Sequence, residues 1–146
     1  MNTILPNPDI EYIQPLLAEN GLPTDDLAAL DLNHFFTCRD ASRTIAVIGL
    51  EVFGTDALLR SLAVQRDYRG HGCGALLLQA AETHAQQSGI RNLYLLTETA
   101  EEYFSRRGFA SVERSLAPVA ISSTRQFGEL CPADAVFMHK PLGISG

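Results

Sequence analysis

The feature that most constrains the fold of this chain is an apolar run that enters a loop with three glycines, directly before a helical pattern. The run ends at Leu62-Ala63-Val64, and the glycines are Gly70, Gly72 and Gly74. Because glycine has no Cβ, consecutive backbone N–H groups of such a loop can approach an anionic ligand closely. The helix that follows adds partial positive charge at its N-terminus. The segment therefore predicts a strand, a loop and a helix that together bind a phosphate-rich ligand.

Other phosphate-binding loops fit this segment poorly. No Gly-Lys-Ser/Thr follows, which excludes a P-loop, and the alternate glycine spacing differs from the GxGxxG of dinucleotide-binding folds. Arg66, Arg69 and His71 add hydrogen-bond donors around the glycines. A tight turn into a helix is the alternative interpretation. The coincidence of three glycines with these donors favours a binding loop.

The rest of the chain alternates between β-rich and helical patterns. Apolar and β-branched runs predict strands at 4–5, 34–38, 44–53, 57–64, 92–96, 109–112 and 135–139. Periodicity and capping residues predict helices from Pro8 to a stop at Asn20–Gly21, and at 24–30, 72–87, 99–107 and 118–126. Thr99 and Glu102 form a predicted capping box. The order predicts a single mixed α/β domain over residues 1–146, with at least one right-handed crossover between parallel strands.

Charge and cysteine content exclude several classes of partner. The net charge of −6 argues against nucleic acid or an anionic membrane as the main partner. No stretch reaches the roughly 18 apolar residues of a membrane helix, and residues 1–11 lack the pattern of a signal peptide, so we expect a cytoplasmic protein. Cys38, Cys73 and Cys131 are far apart in sequence and form no CxxC, so we expect neither a disulfide framework nor a metal site.

Two segments together resemble the GNAT superfamily of N-acetyltransferases. Arg69-Gly70-His71-Gly72-Cys73-Gly74 matches the (Q/R)xxGx(G/A) acetyl-CoA signature of that family. Residues 100–109 resemble its second landmark, a helix ending in an aromatic residue, three residues and Gly-Phe. The resemblance runs from about Ala46 to Lys140. Segments 58–64, 95–101 and 126–135 are similar to ArsN-type arsenic-resistance acetyltransferases, and more distantly to amino-acid acetyltransferases of the N-acetylglutamate synthase kind.

The resemblance implies a GNAT-like acyl-CoA N-acyltransferase fold, with a mixed central sheet of about six to seven strands flanked by helices. It implies that the strand ending at Val64 and the strand 92–96 diverge, with the pantetheine arm of acetyl-CoA between them. The N–H of Val64 is the implied oxyanion donor, whose removal costs roughly 2.7–4 kcal/mol in other enzymes. Many members of the family form homodimers, so we expect one here. The implied cofactor-binding residues are Leu62, Ala63, Val64, Arg69, Gly70, His71, Gly72, Cys73 and Gly74.

Three positions depart from the family pattern. Phe104 stands where many members have a tyrosine that protonates the leaving thiolate, Leu58 where a glutamate is common, and Thr97 where an asparagine is common. Tyr103 is one residue earlier, and neighbours on a helix point about 100° apart, so it is no direct replacement. Together with Val64, we predict Tyr103 as acid and Glu98 as a base acting through water, with Ser105 and Glu51 as the respective alternatives. An ordinary surface or structural role is the other interpretation of each side chain.

Four residues are candidates for binding the acyl acceptor. Arg60 lies within an apolar strand, where a buried arginine is costly unless it is paired. It either clamps a substrate carboxylate or forms a structural ion pair, for instance with Glu51. Ser61 follows it, and Arg125 either lines the same site or faces solvent. Cys131 is either a pocket-lining residue or a small buried one.

The sequence thus predicts an acetyl-CoA-dependent N-acetyltransferase that acts on a small-molecule amine. The resemblance suggests an amino acid or an amino-acid analogue as acceptor, with a role in arsenic resistance. Acetylation of an ordinary amino acid such as glutamate is one alternative. The other alternative is an acyl-CoA-binding sensor or interaction module with weak turnover. The absence of the usual tyrosine and glutamate is compatible with that alternative.

Overall fold

The computed structural model describes residues 2–6, 8–22, 24, 27, 32–41, 43–124, 127 and 135–143. The strands in this part of the chain are β1 (Asn2–Pro6), β2 (Phe35–Asp40), β3 (Arg43–Phe53), β4 (Asp56–Val64), β5 (Asn92–Thr97), β6 (Ala110–Ser111) and β7 (Val136–Pro141). The helices are α1 (Ile10–Glu19), α2 (Cys73–Gln87), α3 (Glu101–Ser105) and α4 (Val119–Ser122). None of these helices is long and apolar enough to cross a membrane.

Within the described residues, the strands form one seven-stranded sheet in the order β1-β2-β3-β4-β5-β7-β6. This confirms the predicted mixed sheet. β1 to β4 are antiparallel neighbours, while β4 and β5 are parallel and are connected through α2. The β4–β5 register runs only from Asp56 opposite Asn92 to Leu58 opposite Tyr94. Beyond these three pairs the two strands separate, as the family resemblance implies.

Apolar side chains cover both faces of the sheet. On one face, α2 buries Leu77, Leu78 and Ala81 in the largest core cluster. On the other face, α1 buries Ile13, Leu16 and Leu17, the stripe that its periodicity predicts. The helix remains continuous through Pro15. A smaller cluster of Leu58, Ile121 and Phe137 lies under α4 on that second face.

The start of α3 corrects one prediction. The first residue before the helix is Ala100, and its N–H is bound by Thr97 Oγ1 at 3.0 Å, whereas Glu102 pairs with Arg106 one turn further along the helix. The predicted capping box of Thr99 and Glu102 is therefore wrong, because the N-cap is Ala100, one residue after Thr99, and the hydroxyl that binds its N–H belongs to Thr97. Most of the helix predicted at 24–30 lies outside the described residues. The helix predicted at 118–126 is shorter than expected, because α4 ends at Ser122 and a turn follows.

Candidate active site

The glycine loop has the backbone geometry that the sequence predicts. Gly70 and Gly72 have φ of +81° and +85°, a region that residues with a side chain rarely adopt. A Cβ added to either glycine would meet no atom within 4 Å, so the space above the loop is open. Gly72 immediately precedes α2, and no side chain in the described residues caps that helix. The first N–H groups of α2 are thus available to an anionic ligand.

A groove of about 420 Å³ lies over this loop. All the predicted cofactor-binding residues line this groove except His71 and Ala63. His71 is exposed beside the groove, and Ala63 is buried against the cluster under α1. Binding of acetyl-CoA by His71 and by the main chain of Ala63 therefore stays a prediction. The lining residues are Leu62, Val64, Tyr68, Arg69, Gly70, Gly72, Cys73, Gly74, Ala75, Tyr103 and Arg107.

Two side chains anchor the loop to the sheet. Tyr68 donates a hydrogen bond from its hydroxyl to Asp40 Oδ2 at 2.8 Å, and this bond, with burial, raises the pKa of Tyr68. Arg69 donates from Nε to the Val64 carbonyl at 3.1 Å and from Nη2 to Asn20 Oδ1. The loop is therefore held in place at both β2 and α1 before any ligand binds.

Cys73, the first residue of α2, contacts a second thiol beneath the loop. Cys38 on β2 is fully buried and Cys73 nearly so. Burial and the hydrogen-bonded thiol of Cys73 raise the pKa of Cys38 to about 11. Neither of these two thiols forms a disulfide, and the buried Cys38 packs as a small apolar group. Their separation in the sequence conceals this contact.

A second space, which we call the cleft cavity, occupies the gap between β4 and β5. Its volume is about 500 Å³. Residues of β4 form one wall, β5 and the start of α3 form the opposite wall, and the end of α1 closes one side. The lining residues are Asn20, Gly21, Leu22, Leu59, Arg60, Ser61, Leu62, Leu95, Leu96, Thr97, Glu98, Thr99, Ala100, Tyr103, Phe104 and Ala135.

Leu62 and Tyr103 line both the groove and the cleft cavity, so the two spaces meet there. The Tyr103 hydroxyl crosses to the start of α2, where a Cβ at Gly74 would lie 3.1 Å from it. The guanidinium of Arg107 stacks over the Tyr103 ring at 3.7 Å from its centroid. Phe104 points into the core instead, edge-on to Phe109. The offset of about 100° between neighbours thus brings Tyr103, and not position 104, to the junction.

Arg60 forms the structural ion pair that was one of its two predicted roles. Its Nη1 lies 3.2 Å from Glu51 Oε2, and its Nε donates to Ser61 Oγ at 2.9 Å. The Arg60 side chain is 0% exposed, so its main chain is the part that borders the cleft cavity. A carboxylate-binding role for Arg60 stays a prediction. In that role the guanidinium would have to bind a substrate carboxylate in the protein interior in addition to Glu51.

The remaining predicted residues fall in different places. Glu98 is exposed at the rim of the cleft cavity. Leu58, at the usual glutamate position, is fully buried under α4. Arg125 and Cys131 lie outside the described residues.

Several site residues escaped the sequence reasoning. Tyr68 lines the groove, and only its nearness to the glycine motif could have indicated it. Asn20, Gly21 and Leu22 line the cleft cavity, although they look like an ordinary helix end in the sequence. Their position depends on how α1 packs on β3, which no local pattern reports.

A separated parallel strand pair, with a glycine loop and an uncapped helix at its mouth, defines the acyl-CoA N-acyltransferase class of α/β folds. Residues 31–111, more than half of the chain, match the family model described as acetyltransferase (GNAT) domain. The chain belongs to this family.

Relatives of known structure or activity extend the comparison. The chain is 31% identical over 114 residues to an amino-acid acetyltransferase of Serratia proteamaculans, a match covering 75% of this chain and 26% of that protein. It thus spans about a quarter of the length of the curated relatives it matches.

Two solved structures show the same fold at low sequence identity. One is N-acetylglutamate synthase from Neisseria gonorrhoeae complexed with coenzyme A and N-acetyl-glutamate, with a TM-score of 0.81, 19% identity, and coverage of 98% of this chain and 35% of that one. The other is a Mycobacterium tuberculosis protein in complex with CoA, with a TM-score of 0.82, 18% identity, and coverage of 97% and 99%.

Proposed function

We propose that this chain transfers an acetyl group from acetyl-CoA to the amine of an amino acid or an amino-acid analogue. The observation that carries the proposal is the junction at Leu62 and Tyr103, where the groove over the glycine loop meets the cleft cavity of about 500 Å³. A two-substrate transfer needs two such sites that share one point. The names of the curated relatives support an amino acid as acceptor.

The residues of the groove fit acetyl-CoA. The open glycine loop and the first N–H groups of α2 suit its diphosphate, and Arg69 and Arg107 add positive charge nearby. The main chain of β4 beyond Leu58, released from β5, suits the amide groups of a pantetheine arm. When bound, the thioester supplies an activated acetyl group whose thiol leaving group has a pKa near 8.5.

Three groups of this chain have proposed roles around that point. The N–H of Val64 donates to the developing oxyanion. The Tyr103 hydroxyl returns a proton at the sulfur side of the junction, and Glu98 at the cavity rim accepts the amine proton through water. Holding the two reactants in one gap supplies most of the rate, since proximity alone is worth roughly 7–11 kcal/mol of barrier.

Thiol release from acetyl-CoA, with a panel of amines, tests this function. We expect release above the no-amine blank for one or more amino acids, including glutamate and an arsenic-containing amino-acid analogue. The decarboxylated amine of each amino acid is the matched control, because it shows whether the chain requires a carboxylate on the acceptor. Release equal to the blank for every amine, with acetyl-CoA bound, would favour the acyl-CoA sensor instead.

Finer points rest on the sequence resemblance alone. A role in arsenic resistance is supported by the similarity of segments 58–64, 95–101 and 126–135 to ArsN-type enzymes. The homodimer and the cytoplasmic location are likewise proposals taken from the family and the composition.

A further inference from the structure

The wall of the cleft cavity contains an irregularity in β4. Val47 of β3 lies opposite Ala63, but Gly49 lies opposite Arg60. Two steps along β3 therefore match three steps along β4, which is a β-bulge at Ser61 and Leu62. Ser61 has φ of +61°, in the left-handed region, although it is not glycine.

This conformation requires support from its surroundings. A non-glycine residue in the left-handed region costs on the order of 1–3 kcal/mol and persists only where neighbouring groups determine it. The support here is the Ser61 hydroxyl, which accepts a hydrogen bond from Arg60 Nε at 2.9 Å while Ser61 is only 8% exposed. The bulge is thus pinned by the side chain of the preceding residue.

Arg60 is itself fixed from the neighbouring strand. Glu51 on β3 accepts from Arg60 Nη1 at 3.2 Å, with side chains 11% and 0% exposed. A buried ion pair seldom stabilises a fold more than apolar residues of the same volume would. In some proteins a buried polar or ionic group instead selects one conformation, and the conformation that this pair contacts is the bulge.

The bulge lies where its geometry matters for transfer. The β4–β5 pairing ends at Leu58, and Arg60, Ser61 and Leu62 then border the cleft cavity. On the β5 side, the main chain at this point borders the cavity, because the strand pairing has ended. A displacement of about 1 Å in such groups can lower a rate on the order of 100-fold.

We propose that Glu51, Arg60 and Ser61 form a positioning network, in which the Glu51-held guanidinium fixes the Ser61 hydroxyl and thereby the bulge that borders the reacting groups. The inference rests on the proposed acetyl transfer. It assigns Arg60 and Ser61 a role different from direct substrate binding, because they act through the main chain of β4.

Two substitutions at Ser61 separate the hydroxyl from the backbone strain. Ser61→Gly accepts the left-handed φ and removes the hydrogen-bond acceptor, whereas Ser61→Asn tolerates this φ and restores an acceptor oxygen. Ala41→Gly is the matched control, because Ala41 has φ of +55° in the β2–β3 turn. It relieves the same strain away from the cavity.

We expect Ser61→Gly to lower kcat at least about tenfold, with KM for acetyl-CoA and amine and the acetyl-CoA Kd within about twofold of the wild type. Amide hydrogen exchange at residues 61–63, measured without acetyl-CoA, should become faster. Ser61→Asn should recover most of kcat, and Ala41→Gly should change neither property. An unchanged kcat or unchanged exchange in Ser61→Gly would overturn the network.

Arg60→Lys distinguishes the network from a carboxylate clamp. Lysine keeps the charge beside Glu51 but lacks the fork that also reaches Ser61. The network predicts a lower kcat with every amine that the wild type accepts, with or without a carboxylate. A higher KM for carboxylate-bearing amines alone, at full kcat, would make Arg60 a substrate clamp and contradict the network. If the wild type acetylates no amine, the proposed function fails, and the exchange measurement on Ser61→Gly still decides the network.

Discussion

The two halves of the candidate site are built in different ways. The groove over the glycine loop is made of main chain: Gly70 and Gly72 adopt left-handed φ, and α2 presents its first N–H groups. The cleft cavity is made by side chains and strands that are distant in sequence, with the Glu51–Arg60 pair behind its wall. The first half depends on which residues lack a Cβ, and the second on how separate elements pack.

This difference explains why a sequence motif indicates the groove but does not indicate the acceptor. A diphosphate is the same in every acetyl-CoA, so a short backbone motif can serve a whole family. The acceptor differs between enzymes, and its cavity is defined by long-range contacts such as that of α1 with β3. Substitutions can therefore test the groove, the cleft cavity and the junction between them one at a time.

The largest effect is expected from a side chain in the glycine loop. Gly72→Val places a branched Cβ in the open space of the groove, and acetyl-CoA Kd should rise about 100-fold, or ~2.7 kcal/mol. Gly89→Val is the matched control, because Gly89 lies just after the other end of α2. Its φ of +83° is close to the +85° of Gly72, and a Cβ at either glycine would meet no atom within 4 Å. Both variants lose stability, but only the first should lose affinity in calorimetry. Equal affinities in the two variants would show that acetyl-CoA does not bind over Gly72.

The buried thiols under the loop predict a loss of stability at high pH. The pKa of Cys38 is raised from 9.0 to about 11, so between these values the folded state holds a proton that the unfolded state has released. The contribution is fully present below pH 9 and is lost as pH rises to about 11, by about 2–3 kcal/mol. Thermal unfolding of wild type and Cys38→Ala from pH 8 to pH 11 measures it. Parallel curves for the two proteins would contradict the prediction.

At the junction, Tyr103→Phe should lower kcat about tenfold, or ~1.4 kcal/mol, while acetyl-CoA Kd stays the same. The effect is at the small end for an acid catalyst because a thiolate with a pKa near 8.5 leaves readily. Tyr12→Phe, on the exposed face of α1, serves as control. Full kcat in Tyr103→Phe would assign Tyr103 to binding or packing only.

The smallest effect concerns the far wall of the cleft cavity. Thr97→Val removes the oxygen that binds the Ala100 N–H and should cost about 1 kcal/mol of unfolding free energy. Thr99→Val removes the residue that the sequence pattern selects and should cost little, because Thr99 makes no described cap. Thermal denaturation compares them, and a larger loss in Thr99→Val would restore the predicted capping box.

Local patterns predicted the elements well and the site in part. The helical stripe of α1, the β2–β4 meander and the Gly72–α2 junction follow from periodicity and glycine spacing, and the structure confirms them. The start of α3 was mispredicted because Thr97 and Thr99 compete as caps, and the chain path after β5 decides between them.

The contacts that shape the acceptor side were beyond local reasoning. Arg60 looked unusual in an apolar strand, but its partners and the left-handed Ser61 depend on the β3–β4 register. The contact between Cys38 and Cys73 likewise requires β2 and α2 to be packed together.

A crystal structure of the chain with acetyl-CoA would show whether the cofactor occupies the groove. We expect the diphosphate over Gly70–Gly74, the pantetheine arm between β4 and β5, and the thioester between Leu62 and Tyr103. Acetyl-CoA bound elsewhere on the surface, or its absence from crystals grown at saturating concentration with the groove uncovered, would contradict this expectation.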